Sequence, residues 1–253
     1  MSQIREDFLW VEKWRPTKVA DCVLPSDLQE PFLEYVESGK IPNLIFAGKP
    51  GINSKGIGLA VNGMYSTADD WTRLAKPFHL RCYDILRSNS MDRALKVLTS
   101  SPRSCTANYI IGHSPRRAVD VELAPDKLRL IYSDGGIISH ANHFVNPDVL
   151  GVSEPPNPRR FLSEFRQQRM ELLLKKQPQL DISNIQKILK DHENNPQSLC
   201  RHRDASLSES QHTITKTAMI MDLDERKLWA TDGQPCKSIF EEFSIMINNY
   251  LFK

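Results

Sequence analysis

The stretch ANYIIGHSPRRAVDVELAPDKLRLIYS, residues 107–133, decides the fold class. It holds three β-rich runs, NYIIG, AVDVELA and KLRLIYS, parted by the turn words HSPRR and APD. Apolar side chains at strand spacing between proline-bearing turns predict an antiparallel meander. Working back from it, Ser90 is placed to cap a helix carrying Met91, Ala94, Leu95 and Leu98. A helix from Pro77 would set Phe78, Cys82, Ile85 and Leu86 on one face, and Ile57 to Asn62 reads as a short strand between glycines. Further upstream, Ser26 can cap a helix with Leu28, Phe32, Tyr35 and Val36, and Asn43 to Ala47 (NLIFA) suits a buried strand. Working forward, Ile137 to Phe144 (IISHANHF) reads as a fourth extended piece. Asn157 then caps a long helix with Pro158 at its first position and Phe161, Phe165, Leu172 and Leu173 turned inward. A helix from about Asp181 to Lys190 follows, then a hairpin, TAMIMDL and KLWATD, around Asp224 and Glu225. Strands, helices and strands again predict α/β layers built on antiparallel sheets.

Composition narrows the function classes. The 253 residues are 40% apolar and 25% charged, with 33 basic and 31 acidic side chains and a net charge of +2. That balance excludes a polybasic protein or an acidic solvating tail. No apolar run approaches the length of a membrane-spanning helix, and MSQIREDFLW lacks a signal-peptide core, so a cytoplasmic protein is the default expectation. The five cysteines, Cys22, Cys82, Cys105, Cys200 and Cys236, are an odd number with no CxxC pair, which argues against a disulfide scaffold or zinc ribbon. Cys82, Cys105 and Cys200 read as buried inert thiols. The basic stretch from Arg159 to Lys176 reads as a solvated helix face, without the aromatic pattern of a nucleic-acid groove.

Gly48-Lys49-Pro50-Gly51-Ile52-Asn53-Ser54-Lys55 begins like a phosphate loop after a strand. Asn53 stands where the second glycine belongs, Ser54 where lysine belongs and Lys55 where Ser or Thr belongs. A lysine one position late points elsewhere, so the plain reading is a glycine-rich turn between two strands.

Two resemblances divide the chain. LWVEKWRPTKVADCVLP and IPNLIFAGKPG, within residues 8–51, resemble the start of clamp-loader small subunits, AAA+ ATPases of replication. That resemblance implies an adenine-binding part for the segment around Val11 and Arg15. The later AAA+ motifs, the magnesium-binding acidic pair, sensors and arginine finger, are missing. From Gly48 onward, GKPGINSKGIGLAVNGM, SHANHF, NPQSLCRHRD and ATDGQPCKSIFEEF are similar to the penicillin acyltransferase family, the acyl-CoA:isopenicillin N acyltransferase or C45 peptidase group. This second resemblance spans residues 48–243 and implies an N-terminal-nucleophile enzyme with an αββα sandwich. The word GKPG belongs to both patterns, as in a gene fusion, a recombination scar or an assembly artefact. The organisation expected is a clamp-loader-like segment at 1–47, an acyltransferase-like domain at 48–243 truncated at its start, and a tail at 244–253. The expected fold is an incomplete αββα sandwich with a short N-terminal α/β appendage.

In that chemistry a freed α-amine serves as base for its own Cys, Ser or Thr, and acyl transfer runs through a covalent acyl-enzyme. The second resemblance implies that Asn142 in SHANHF is the oxyanion-hole amide, and that Arg201 in SLCRHRD belongs to processing and the active-site network. From the residues alone, Asn142 could equally satisfy a turn through its amide, and Arg201 could be a structural ion-pair residue. The nucleophilic Cys should precede the GKxGxNS segment and be followed by an N-[WF]-D-like motif. That motif is missing, and Cys22 sits in the clamp-loader-like word ADCVLP. Removal of Met1 would expose Ser2, an event common in ordinary proteins. The expectation is an acyltransferase or amide hydrolase by descent, impaired as written, acting on an acyl-CoA or amide small molecule. The alternatives are a clamp-loader-derived ATP- or partner-binding fragment and a non-functional fusion product. No cofactor, metal, membrane or nucleic-acid partner is expected; oligomeric state stays open. His140 and His143, three apart in an extended segment, would point to opposite faces, without a third ligand nearby in sequence.

Overall fold

A computed structural model describes residues 51–245 apart from 101, 134 and 209–211. The expected N-terminal helix and NLIFA strand lie outside the described residues. The elements are β1 (Gly51–Ile52), β2 (Ile57–Gly63), α1 (Phe78–Leu86), α2 (Met91–Thr99), β3 (Ala107–His113), β4 (Arg117–Leu123), β5 (Leu128–Ile131), α3 (Pro147–Leu150), α4 (Arg160–Lys175), α5 (Ile182–Leu189), β6 (Met219–Asp222), β7 (Lys227–Thr231) and β8 (Phe240–Ser244). They build two antiparallel sheets, one in the order β1-β2-β3-β4-β5 and one in the order β6-β7-β8.

Register explains the first sheet. Leu59 pairs with Ile111, which pairs with Val119, and Val61 pairs with Tyr109, which pairs with Val121. One face is therefore apolar throughout, and it packs on Cys82 and Ile85 of α1 and Met91, Ala94 and Leu98 of α2. Each large aliphatic side chain buried there is worth about 1.5–3 kcal/mol. Ser90 caps α2 as expected, its side chain accepting from the Arg93 amide. Arg81 is also buried in this layer, donating to the carbonyls of Val97 and Pro102 at 2.9 and 3.0 Å.

The other face of the same sheet is also covered. Gly58 pairs with Gly112, and a Cβ on either would stand 2.5 Å from the Leu223 side chain. These two glycines let the β6–β7 turn close down on the first sheet. α5 lies against β6, and Lys190 Nζ stands 5.9 Å from the Phe240 ring of β8. The layers thus run helices, sheet, sheet, helices, the αββα order expected from the sequence.

The glycine-rich segment at 51–56 is a turn between β1 and β2. Asn53 holds it: Oδ1 accepts from the amides of Lys55 and Ile57, both at 2.9 Å, and Nδ2 donates to the carbonyls of Leu86 and Ser88 at 2.7 and 2.8 Å. An asparagine in the place of a phosphate-loop glycine therefore ties the turn to the end of α1.

Four expectations need correction. Residues 137–144 do not form a fourth strand; beyond a lone bridge at Ile137 they are loop. Their amides and those just after them go to side chains instead: Asn142 to Ser163 Oγ, Phe144 to Glu154 Oε1 and Val145 to Glu122 Oε1. The long helix starts at Arg160 rather than beside Asn157, whose Oδ1 accepts from the Arg159 amide in the preceding turn. Phe161 and Leu172 are 62% and 44% exposed, so the helix does not turn them inward. Its inner side is polar, with Ser163 its buried residue, and its arginines are not a solvated face. Arg160 pairs with Glu154 and Glu164, and Arg169 pairs with Asp191. The strand β8, in the word IFEEF, was not anticipated, because two adjacent glutamates hide its alternation.

Candidate active site

Asn142 stands where β2 ends against the 139–144 loop. Two amide side chains cross there in opposite directions. Asn62 Nδ2 donates to the His140 carbonyl at 3.3 Å, and Asn142 Nδ2 donates to the Gly63 carbonyl at 3.1 Å. The Asn142 amide N–H donates to Ser163 Oγ at 2.7 Å, and Ser163 Oγ lies 2.9 Å from His143 Nδ1. The serine hydroxyl therefore accepts from the Asn142 amide and shares a hydrogen bond with a neutral His143, whose tautomer sets the direction. Burial, then the charges of Arg160 and His140, lowers His143 to a pKa of about 4. Arg166 Nη2 donates to Asn142 Oδ1 at 2.9 Å. A cation on the amide oxygen polarises the group and strengthens its N–H donors. One Asn142 Nδ2 hydrogen serves Gly63, and the amide has a second to offer.

Asn142 is exposed at the edge of a cleft of ≈ 420 Å³ that also involves Tyr65, Glu154, Asn157 and Arg160. A larger cavity of ≈ 880 Å³, lined by Ile110, Ile138, Ile185 and Ile220 among others, lies between the first sheet and α5 with β6 and holds neither candidate residue. The larger cavity mixes isoleucines with His113, Arg116, Arg117, Asp181 and Asp222, and the smaller cleft is the one that reaches Asn142.

Arg201 follows α5 in a loop. Its amide donates to Thr215 Oγ1 at 2.9 Å, Nη1 donates to Thr213 Oγ1 at 3.2 Å, and its carbonyl accepts from Gln234 Nε2 at 2.8 Å. Its Nε is buried without a hydrogen-bond partner among the described residues. Burial, then the charge of Arg159, lowers its pKa. Arg166 feels it too: burial, then the Arg201 charge, brings Arg166 down to about 10. Arg166 thus hydrogen-bonds Asn142 and lies within reach of the Arg201 charge, which disfavours its own.

Beneath the loop lies an ionic layer that the sequence reading missed. Asp120 and Glu122 are buried on the inner face of β4. Asn108 Nδ2 donates to Asp120, and Asn62 Nδ2 donates to Asn108 Oδ1 at 2.8 Å. His140 offers Nδ1 to the Ala141 carbonyl at 2.8 Å and Nε2 to Glu122 Oε1 at 3.0 Å. Both partners are acceptors, so both nitrogens carry hydrogen and the ring is an imidazolium. Burial opposes that charge, and the Glu122 hydrogen bond with the nearby Asp120 outweighs it, raising the His140 pKa. Burial pushes the Asp120 carboxyl up to about 6, against the pull of His140 and Asn108. The alternation in Asp120-Val121-Glu122 placed both carboxylates on one strand face, the signal that could have found them. His140 and His143 do not point apart: their rings stack at 6.2 Å and 28°, because the segment is a loop.

A second cluster, His192, Cys200, His202 and Cys236, brackets Arg201 and carries metal-ligand chemistry. Of the expected inert thiols, Cys82 and Cys200 are buried and Cys105 is half-buried. No helix among the described residues is long and apolar enough to cross a membrane.

Comparisons with known proteins overlap across residue 48 rather than dividing there. A family model described as acyl-coenzyme A:6-aminopenicillanic acid acyl-transferase matches residues 12–237. Among curated proteins, the replication factor C small subunit of Methanoregula boonei is 46% identical over 44 residues, 17% of this chain and 14% of that protein. The replication factor C small subunit of Sulfurisphaera tokodaii is 34% identical over 117 residues, 46% of this chain and 32% of that protein. The chain spans a third or less of the length of these curated relatives. Among solved structures, a variant of conjugated bile acid hydrolase from Clostridium perfringens is similar with a TM-score of 0.48 and 13% identity, over 80% of each chain.

Proposed function

Because the chain belongs to the acyl-coenzyme A:6-aminopenicillanic acid acyl-transferase family, we propose that residues 48–243 are an acyl-transfer or amide-hydrolysing scaffold acting on an acyl-CoA or amide small molecule. Asn142 is its oxyanion donor. The observation that carries this reading is that Asn142 stands exposed at the cleft while Arg166 holds its Oδ1 at 2.9 Å. The free Nδ2 hydrogen can then meet a tetrahedral oxyanion without reorganisation. Arg201 is a positioning residue that acts through Arg166.

Turnover in this reading is impaired. The segment 1–47 has clamp-loader character where the family's nucleophile and N-[WF]-D motif belong. Loss of the nucleophile from an acyl-transfer site leaves only oxyanion and binding effects. Free thiols suit a reducing compartment, which supports a cytoplasmic location.

The test is native intact mass after incubation with phenylacetyl-CoA. The expected result is a compact, unmodified chain. One added acyl group, mapped to Ser2, Cys22 or another cysteine, would overturn the impairment and name the nucleophile. Turnover that survives Cys22→Ala and a blocked N-terminus would mean that the catalytic group lies elsewhere.

The replication factor C relatives favour a second reading, a nucleotide- or partner-binding segment at the N-terminus. It requires micromolar ATP binding that disappears in Lys49→Ala or Arg15→Ala. Long sequencing reads across codons 45–55 of the source DNA separate both readings from a fusion artefact.

A further inference from the structure

The cluster beside Arg201 comes from two loops that sequence spacing does not join. His192 follows α5, and Cys200 and His202 come from the same loop after it folds back. That fold is held by the Cys200 amide donating to the Asp191 carbonyl at 3.1 Å and the His202 amide donating to the Pro196 carbonyl at 3.0 Å. Cys236 sits in the turn between β7 and β8, where the amides of Lys237 and Ser238 donate to the Gln234 carbonyl at 2.9 and 3.0 Å. Gln234 Nε2 then bridges to the Arg201 carbonyl at 2.8 Å and pins one loop to the other.

Each residue presents one ligand atom, and all four atoms lie within 4.8 Å of one another. His202 Nε2 is 3.0 Å from His192 Nε2, 3.7 Å from Cys200 Sγ and 3.4 Å from Cys236 Sγ. An imidazole nitrogen carries at most one hydrogen, so ordinary hydrogen bonding cannot serve three such partners. A tetrahedral zinc ion with Zn–N of 2.0–2.1 Å and Zn–S of about 2.3 Å has N–N edges of about 3.3 Å and N–S edges of about 3.6 Å. The three separations from His202 match those edges within a few tenths of an ångström, and the other three lie within 4.8 Å. No carboxylate is in the set.

We propose that His192, Cys200, His202 and Cys236 bind one zinc ion in a closed structural Cys2His2 site. Binding uses both cysteines as thiolates and both imidazoles through Nε2, so two thiol protons leave as the ion enters. Two nitrogens and two sulfurs fill the tetrahedron and leave no open position for water, which makes the ion structural rather than catalytic. Its effect is to clamp the 192–202 loop to the β7–β8 turn. Arg201 lies between two ligands, so the ion also fixes its backbone. The site stands independently of any role for Arg201 in acyl transfer.

The experiment uses the full chain, purified under reducing conditions without a histidine tag, and measures metal by inductively coupled plasma mass spectrometry. The expected result is one zinc per chain. Replacement by cobalt should give the visible bands of a tetrahedral ion and a near-ultraviolet thiolate-to-cobalt charge transfer. Cys200→Ser and Cys236→Ser should each bring zinc to background, while Cys105→Ser keeps it. The cobalt spectrum is read on the unsubstituted chain, so a variant that fails to fold does not decide the matter. A chain that takes up no zinc from an equimolar supply overturns the proposal. So does a cobalt spectrum without charge transfer, full zinc in both cysteine variants, or a Cys200–Cys236 disulfide in the protein as purified.

Discussion

Arg166 donates from Nη2 to Oδ1 of Asn142 at 2.9 Å, and the same guanidinium is electrostatically coupled to Arg201. The loop amide is thereby held by a helix whose arginines could have been taken for solvent-facing charge. Arg166→Met keeps the aliphatic stem and removes the donor. Any acyl transfer the chain retains should fall roughly 10- to 100-fold, less than the roughly 10²–10³-fold loss expected for Asn142→Ala. Kinetics of both variants against phenylacetyl-CoA check this; equal losses would mean that Arg166 does more than position the amide.

Ser163 bonds both Asn142 and His143. Ser163→Ala leaves the Asn142 amide and the His143 Nδ1 unpaired in a buried place and should cost about 1–3 kcal/mol. Urea unfolding of the two chains measures it.

The His140–Glu122 pair sets a pH dependence. The folded pKa of His140 is raised, so its stabilisation is complete below the unfolded value near 6.5 and is lost as pH rises through the folded value. Asp120, raised to about 6, also binds more protons when folded between its ordinary 3.8 and 6. His143, lowered to about 4, works the other way below 6.5, so these two largely offset each other there. Unfolding free energy should therefore fall as pH rises above 6.5. Chemical denaturation from pH 5 to 9 should show this limb, and His140→Gln should flatten it.

Gly112→Ala drives a Cβ to 2.5 Å from Leu223. Overpacking of this kind costs about 1–3 kcal/mol. The cost should shrink in a Leu223→Ala background, because the obstructing side chain has gone. A double-mutant cycle measures the coupling.

Asn53→Ala removes four side-chain hydrogen bonds, two of them to the carbonyls of Leu86 at the end of α1 and Ser88 just after it. A loss of about 2–4 kcal/mol is expected. Retained stability would mean that the turn is held by its backbone alone.

Sequence by itself determined most of the helix and strand order up to β7, because that order rests on local periodicity and caps. The meander at 107–131, Ser90 as a cap and the hairpin at Asp224 are each set by residues within a few positions of one another. Its motif words also singled out Asn142 and Arg201 as candidates, through resemblance rather than through any force between them. Tertiary structure alone decided that IISHANHF is a loop, since the amides of Asn142 and Phe144 go to Ser163 and Glu154, side chains from outside the segment. It alone stacked His140 on His143, and it alone brought Cys236 to His202 across 34 residues. Periodicity records which face of an element is buried. What that face meets depends on distant packing, and buried polar atoms must find their partners wherever the fold supplies them.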